Sequence, residues 1–259
     1  MSRRPPLPSA LALLAAAPLA YVLATFYLPL LIMLVESLKP QGPSLYVRVL
    51  LNPDYTSIMA YSLVLAVVTT ASTFLISLPA AYYLSFHVED EVEKSRYLAA
   101  FTVPMLVNFL LKAYALMNVL SVLGLANTYA GMVIGMVYEY LPYMLLPLFS
   151  SFERVERRLL EAAQTLGARS HQVFLRIVLP LSLPGIVSGV ALVFLMSFTE
   201  FVVPAMLGGV YGYTMGYLIW DLFLRYRDWP VGSALAFIVT LVSLVIVYVY
   251  TRWGLGYEA

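Results

Sequence analysis

Long stretches without charge alternate along the chain with short polar segments, and a helix needs about 20 apolar residues to cross the hydrocarbon core of a bilayer. The first apolar block, Pro5 to Val35, carries no charged side chain and follows Arg3 and Arg4. A cleaved signal peptide would have an apolar core of only about 7–15 residues, and the small-residue site Ala15-Ala16-Ala17 is followed by Pro18, a poor start for a mature chain. The block therefore reads as a retained span. Residues 36 to 55, with Pro40, Gly42, Pro43, Asn52 and Pro53, read as a loop. A second span is predicted over 57–86, ended by the sharpest charge run of the chain, His87 to Arg96, which does not belong in hydrocarbon. The third is predicted over 97–117, with Pro104 as a kink and Lys112 snorkelling to the nearer surface. After a connection at 118–129, a fourth span is predicted over 130–150, and two more over 182–206 and 229–251. Trp229 and Trp253 flank the last span as interfacial aromatics.

Composition agrees with this pattern. Hydrophobic residues make up 62% of the 259 and charged residues 11%, against about 25% charged in soluble domains. The chain is expected to form a single transmembrane domain over 1–259, with its core at 57–251 and a charged loop at 151–181. With no cysteine, disulfides, thiolate metal sites and Cys nucleophiles are excluded, and two histidines, His87 and His171, make a poor metal set. A net charge of +1 argues neither for nor against nucleic acid, and none is expected as a partner. Ten of the 15 Lys and Arg fall on the side of the six-span arrangement that holds the 87–96 and 151–181 segments, so that side should be cytoplasmic with both termini.

The segment from Glu153 to Pro180 is the most informative. Glu153, Arg154, Glu156, Arg157, Arg158 and Glu161 alternate with Leu159, Leu160, Ala162, Ala163 and Leu166, which predicts an amphipathic helix with Arg157 four residues before Glu161. Gly167 can end it in a left-handed conformation, and Ser170 can cap a second short helix toward Ile177. Pro180 and Pro184 then set the angle to the next span. Amphipathicity alone is equally compatible with a helix lying on the membrane surface.

The spacing says more. Glu161-Ala162-Ala163, three residues, Gly167, nine residues, Ile177, one residue, and Leu179-Pro180 resembles the EAA loop of permease subunits in binding-protein-dependent ABC importers, at every fixed position. Ser197-Phe198-Thr199-Glu200-Phe201-Val202-Val203-Pro204 and Arg227-Asp228-Trp229-Pro230 are similar to segments of the spermidine/putrescine permease subfamily. The resemblance implies an all-α, polytopic protein with six transmembrane helices and a cytoplasmic helical coupling loop, the arrangement of a type I importer permease in the inner membrane. It implies that Glu161, Ala162, Ala163, Gly167, Ile177, Leu179 and Pro180 couple to an ATPase dimer, and that the partners include a second permease subunit, expected to be a different chain, and an extracytoplasmic binding protein. No glycine-rich Lys-Ser/Thr phosphate loop is present, so ATP is expected on the partner and no enzyme chemistry in this chain.

Glu139 and Glu200 fall within predicted spans, where an unpaired charge costs at least several kcal/mol. Each needs a partner, a proton or water. Lining a path for a polyamine cation is one reading and holding helices together is the other, with Glu200 closer to scaffold. Asp221 in the outer loop could meet the arriving cation, although a solvated loop charge is the simpler account. Tyr211, Tyr213, Tyr217 and Tyr226 suit an interfacial belt better than a cation site. Ferric iron, phosphonate, thiamine or an oxyanion are rival substrates, and a secondary transporter with Glu139 and Glu200 as a proton relay is the rival from another class; no internal repeat supports it. An intramembrane hydrolase has no evident nucleophile with its base.

Overall fold

Hydrocarbon forces backbone groups to bond within their own segment, and the chain answers with helices throughout. The computed structural model describes Ala16, residues 18–39 and residues 41–254. Arg3, Arg4, the start of the first block, both chain ends and the Trp253 side chain lie outside the described residues. Among the described residues four continuous helices are long and apolar enough to cross a membrane, and two bent pairs bring the candidate spans to six.

Helix α1, Pro18–Ser37, contains a widened π turn at Leu23–Tyr27. Pro29 follows two residues later and has no N–H for the carbonyl one turn back, a defect that a π turn absorbs. The segment expected to be a loop at 36–55 instead holds a short helix, α2 (Ser44–Leu51), which buries Leu45 and Val49 one turn apart. Helix α3 (Pro53–Phe86) starts earlier than predicted because Asn52 caps it, its side chain accepting from Asp54 N at 2.9 Å, with Pro53 at the first helical position.

The third span is not one kinked helix. Helix α4 (Glu91–Thr102) and a 3₁₀ turn at Val103–Leu106 meet helix α5 (Phe109–Val122) at a bend of 102°. Pro104 is the second residue of the 3₁₀ turn, and Asn108 restarts the helix by accepting from Leu110 N at 3.0 Å. Helix α6 (Tyr129–Glu153) is continuous. The charged loop forms two helices, α7 (Arg157–Thr165) and α8 (Ser170–Leu181), and α8 meets α9 (Leu183–Thr199) at 69°. The span expected over 182–206 breaks at Glu200 and resumes as α10 (Val202–Leu207). The predicted outer loop is largely a helix, α11 (Met215–Leu224), before the last span, α12 (Trp229–Gly254).

The centre of the bundle is α3, α6 and α9 in mutual contact. Lipid offers no hydrophobic drive for one apolar helix to seek another, so close approach of small residues is what holds such helices. Ser62, Ala66, Thr69, Thr73, Ser77 and Ala81 are buried on α3, and Gly185, Gly189, Val193 and Ser197 on α9, each series at helical spacing. Between them α6 sets Met132, Met136, Tyr140, Met144, Leu148 and Phe152, all nearly inaccessible. Its flexible methionines fill the irregular space the small residues leave. A second core joins α2, α11 and α12 through Leu45, Val49, Leu218, Leu222 and Leu235, and α1 packs on α12.

Gly185 makes the tightest contact with α6: a methyl there would collide with Ser151 Cβ and the Pro147 carbonyl. Gly185→Val is expected to cost about 1–3 kcal/mol through overpacking. A lowered unfolding midpoint of the detergent-purified chain checks it, with Val122→Ala, at a position 88% exposed, leaving the midpoint unchanged.

Candidate functional site

Two features collect the residues singled out by the sequence: the α7–α8 hairpin and a polar cluster near the middle of α6.

Helix α7 is shorter than predicted, since Glu153 still belongs to α6. Its C-terminus closes in a Schellman motif: Gly167 N donates to Gln164 O at 2.9 Å and Ala168 N to Ala163 O at 3.0 Å. Gly167 takes φ +88°, the left-handed conformation expected of it. Ser170 does not cap α8; the Gln172 side-chain oxygen accepts from Arg169 N at 2.9 Å instead. A π turn at Phe174–Val178 precedes Pro180, repeating the device of α1, and Ile177 lies within it.

Glu161, Ala162 and Gly167 are exposed, Ala163, Ile177 and Leu179 are half-buried, and Pro180 is exposed. No residue of α7 is buried, and Leu166 is 88% exposed. The expected Arg157–Glu161 pair does not form. Arg157 instead reaches the end of α3, its Nη2 donating to Ser85 O at 3.2 Å and its Nη1 lying 3.9 Å from Glu89. Phe174 of α8 sits edge-on to Tyr82 of α3 at 5.2 Å between ring centroids. The hairpin is therefore fastened to the bundle by its base while its Glu-Ala-Ala face stays open.

In the cluster, Lys112 does not snorkel. Its ammonium is buried and pairs with Glu139 at 2.6 Å, with side-chain exposures of 7% and 11%. A charge held away from water keeps its proton state only beside an opposite charge, and the restart of α5 at Asn108 carries Lys112 to Glu139. The next residue of α6, Tyr140, hydrogen-bonds Glu200 in the break between α9 and α10. The other carboxylate oxygen of Glu200 accepts from Phe201 N at 3.0 Å and Val202 N at 2.8 Å, supplying the partners that the broken helix lacks. Its carbonyl accepts from Thr214 Oγ1 at 2.9 Å. Both broken spans thus attach to two consecutive residues of α6.

Asp221 is not a solvated loop charge. It lies on the buried side of α11 at 2% side-chain exposure, with Oδ2 3.9 Å from Arg225, and Oδ1 has no hydrogen-bond partner among the described residues. Burial, and then the charge of Asp221, push the Tyr213 phenol above its ordinary value. Tyr213, Tyr217 and Trp220 form a run of ring contacts at 5.2 and 5.5 Å. Tyr211 is held separately, its carbonyl accepting from the Tyr61 hydroxyl at 2.7 Å. Lys112 and Tyr140 were the residues that sequence reasoning missed. The signal for Lys112 was present, as the one cation inside the predicted spans. Among the described residues no group of three or more His, Cys, Asp or Glu could hold a metal ion.

Known proteins bear on this geometry. Residues 95–254 match the family model described as "Binding-protein-dependent transport system inner membrane component". The chain is 36% identical over 222 residues to the spermidine/putrescine transport system permease protein PotB of Salmonella typhimurium, covering 78% of this chain and 76% of that one. It is 35% identical to PotB of Escherichia coli K12, covering 78% and 79%, and 28% identical to the E. coli inner membrane ABC transporter permease protein YdcU, covering 83% and 75%. In fold it is similar to a chain of the bacterial ABC transporter that imports the acidic polysaccharide alginate, at a TM-score of 0.77 and 16% identity over 95% of this chain and 94% of that one. A chain of the MetNI methionine ABC transporter follows at 0.63 and 15% identity over 78% and 94%.

Lys112→Met strands a buried carboxylate and is expected to cost about 3–5 kcal/mol, whereas Lys112→Met with Glu139→Gln recovers most of that loss. A double-mutant cycle on unfolding in detergent checks the coupling; simple additivity would contradict the pair.

Proposed function

The chain belongs to the binding-protein-dependent transport system inner membrane components, and on that footing we propose that it is a membrane-spanning permease subunit of an ATP-driven importer for polyamines of the spermidine and putrescine class. The observation that carries the transport reading is the hairpin: a helix with a small-residue, single-carboxylate face, closed by a left-handed glycine and left uncovered by its own chain. Small alanines permit close approach, and a carboxylate can pair with a basic group on the facing protein. The substrate class rests on the identity to the polyamine permeases.

In this reading a separate ATPase dimer binds the nucleotide and grips Glu161, Ala162, Ala163 and Gly167, with Ile177, Leu179 and Pro180 setting the second arm. The chain acts as one permease domain, pairs with a second permease subunit, and receives solute from an extracytoplasmic binding protein. The hairpin faces the cytoplasm and both termini lie on that side, as the bias of Lys and Arg supports.

Glu139, Glu200 and Asp221 are the proposed contacts of the translocation path. Glu139 suits the part because its partner is itself an ammonium, the group a polyamine presents. Asp221 keeps one buried oxygen unpartnered among the described residues. Glu200 is committed to the α10 backbone and Tyr140, and its contribution is to hold the break open.

Co-purification with the ATPase and binding protein, followed by mass spectrometry of the bound small molecule, is expected to yield a polyamine. Recovery of ferric iron, phosphonate, thiamine or an oxyanion would overturn the substrate class. Transport in vesicles driven by a proton gradient without the ATPase would overturn the importer reading itself. Gly167→Pro removes an N–H donor and demands a φ that proline cannot adopt, and Glu161→Lys reverses the charge of the open face. Each is expected to lower ATP-driven transport by about 5- to 150-fold, the usual range of a coupling between sites, with membrane insertion intact. Wild-type transport in both would count against the hairpin.

A further inference from the structure

The charge run between α3 and α4 has so far no role. Asp90 opens α4 by accepting from Val92 N at 3.0 Å, and Glu91 and Glu93 follow in the first turn. Within Glu91–Thr102 the only buried residue is Lys94, 5% exposed, while Val92 and Tyr97 on the same helix are 57% and 42% exposed. An amphipathic helix ordinarily attaches to its bundle by an apolar stripe. Here α4 is attached by an ammonium.

That ammonium meets two carboxylates. Lys94 Nζ lies 3.1 Å from Glu91 Oε1, on its own helix, and 3.2 and 3.4 Å from the two oxygens of Glu153, the last residue of α6. Glu91 is 81% exposed and Glu153 36%, so water weakens the local pair more than the one between helices. Arg157, four residues beyond Glu153, holds the Ser85 carbonyl and lies near Glu89. Ser85, Glu89, Glu91, Lys94, Glu153 and Arg157 together ring a polar cavity of about 290 Å³ where α3, α4, α6 and the hairpin meet.

We propose that Lys94 is the pin through which displacement of the α7–α8 hairpin reaches the bent α4–α5 span. The hairpin continues α6 through only three residues, Arg154 to Glu156, so α6 follows it covalently. Helix α4 joins the bundle at this end through Lys94 and the short connection from α3. With the pin in place, movement of Glu153 carries α4, and α4 in turn carries the restart of α5 and the Lys112–Glu139 pair. Without it, the movement of Glu153 no longer pulls on α4. Lys94 is a positioning residue, and the inference rests on the hairpin being the ATPase contact.

The test uses the complete importer in proteoliposomes and reads polyamine transported per ATP hydrolysed. Lys94→Met is expected to lower that ratio by about 5- to 150-fold. Lys94→Arg, which keeps the charge, and the exchange Lys94→Glu with Glu153→Lys, made with Glu91→Gln so that no like charge faces the new carboxylate, are expected to recover most of it. A merely structural role would reduce the amount of folded complex and leave the ratio unchanged. A wild-type ratio in Lys94→Met, or a charge exchange no better than Lys94→Met, overturns the proposal. Glu161→Lys is run beside them, with ATPase co-purification as its readout. If Glu161→Lys keeps the ATPase and transports normally, the hairpin reading fails. If it loses the ATPase while Lys94→Met keeps a wild-type ratio, only the role of Lys94 fails.

Discussion

Everything inside this bundle depends on the refusal of hydrocarbon to hydrogen-bond. A helix can be broken at membrane depth only if other groups take over the donors and acceptors that the break exposes. Two of this chain's breaks, before Asn108 and at Glu200, settle on α6. At one break Asn108 caps the restart of α5, whose first turn delivers Lys112 to Glu139. At the other, Glu200 accepts the free N–H groups of α10 and binds Tyr140. Because Glu139 and Tyr140 are adjacent, the rotation of α6 that satisfies one break also constrains the other.

That arrangement needs α6 to be approached from several sides, and the small residues make room. Gly185 and Gly189 let α9 lie against Ser151 and Met144, while Thr69, Thr73 and Ser77 do the same for α3. Thr73 returns its hydroxyl to Thr69 O at 2.7 Å, so the polar atom costs little where lipid or protein surrounds it. Close packing of this kind transmits displacement well, since a core without slack responds as a body.

What the sequence disclosed follows from the range of each interaction. The six candidate spans, the left-handed Gly167 and the hairpin were legible because composition over about 20 residues and the spacing of a motif are local quantities. The Lys112–Glu139 pair was not, since it joins residues 27 apart on two different helices and no local spacing links them. The break at Glu200 was hidden because the surrounding residues are as apolar as any span. Asp221 misled for the opposite reason: a short helix too brief to cross a membrane looks like a loop, and its charge looks solvated. Arg157 and Glu161 stand at the right spacing to pair, but the end of α3 offers Arg157 a bare carbonyl and a second carboxylate.

The charge arrangement also bears on the proposed path. Glu200 is held by hydrogen bonds from backbone donors and a phenol, which tie it to the start of α10. Glu139 is neutralised by a single ammonium on a flexible four-carbon stem, carried by the half-span whose base is α4. A tilt of that half-span that withdraws Lys112 leaves a partly exposed carboxylate without its cation, a state that only another cation or a proton relieves at tolerable cost. An amine on a chain is chemically the closest replacement for a lysine. In the proposed path an anion would meet Glu139 without its screening cation, so the Lys112–Glu139 pair would favour a cation.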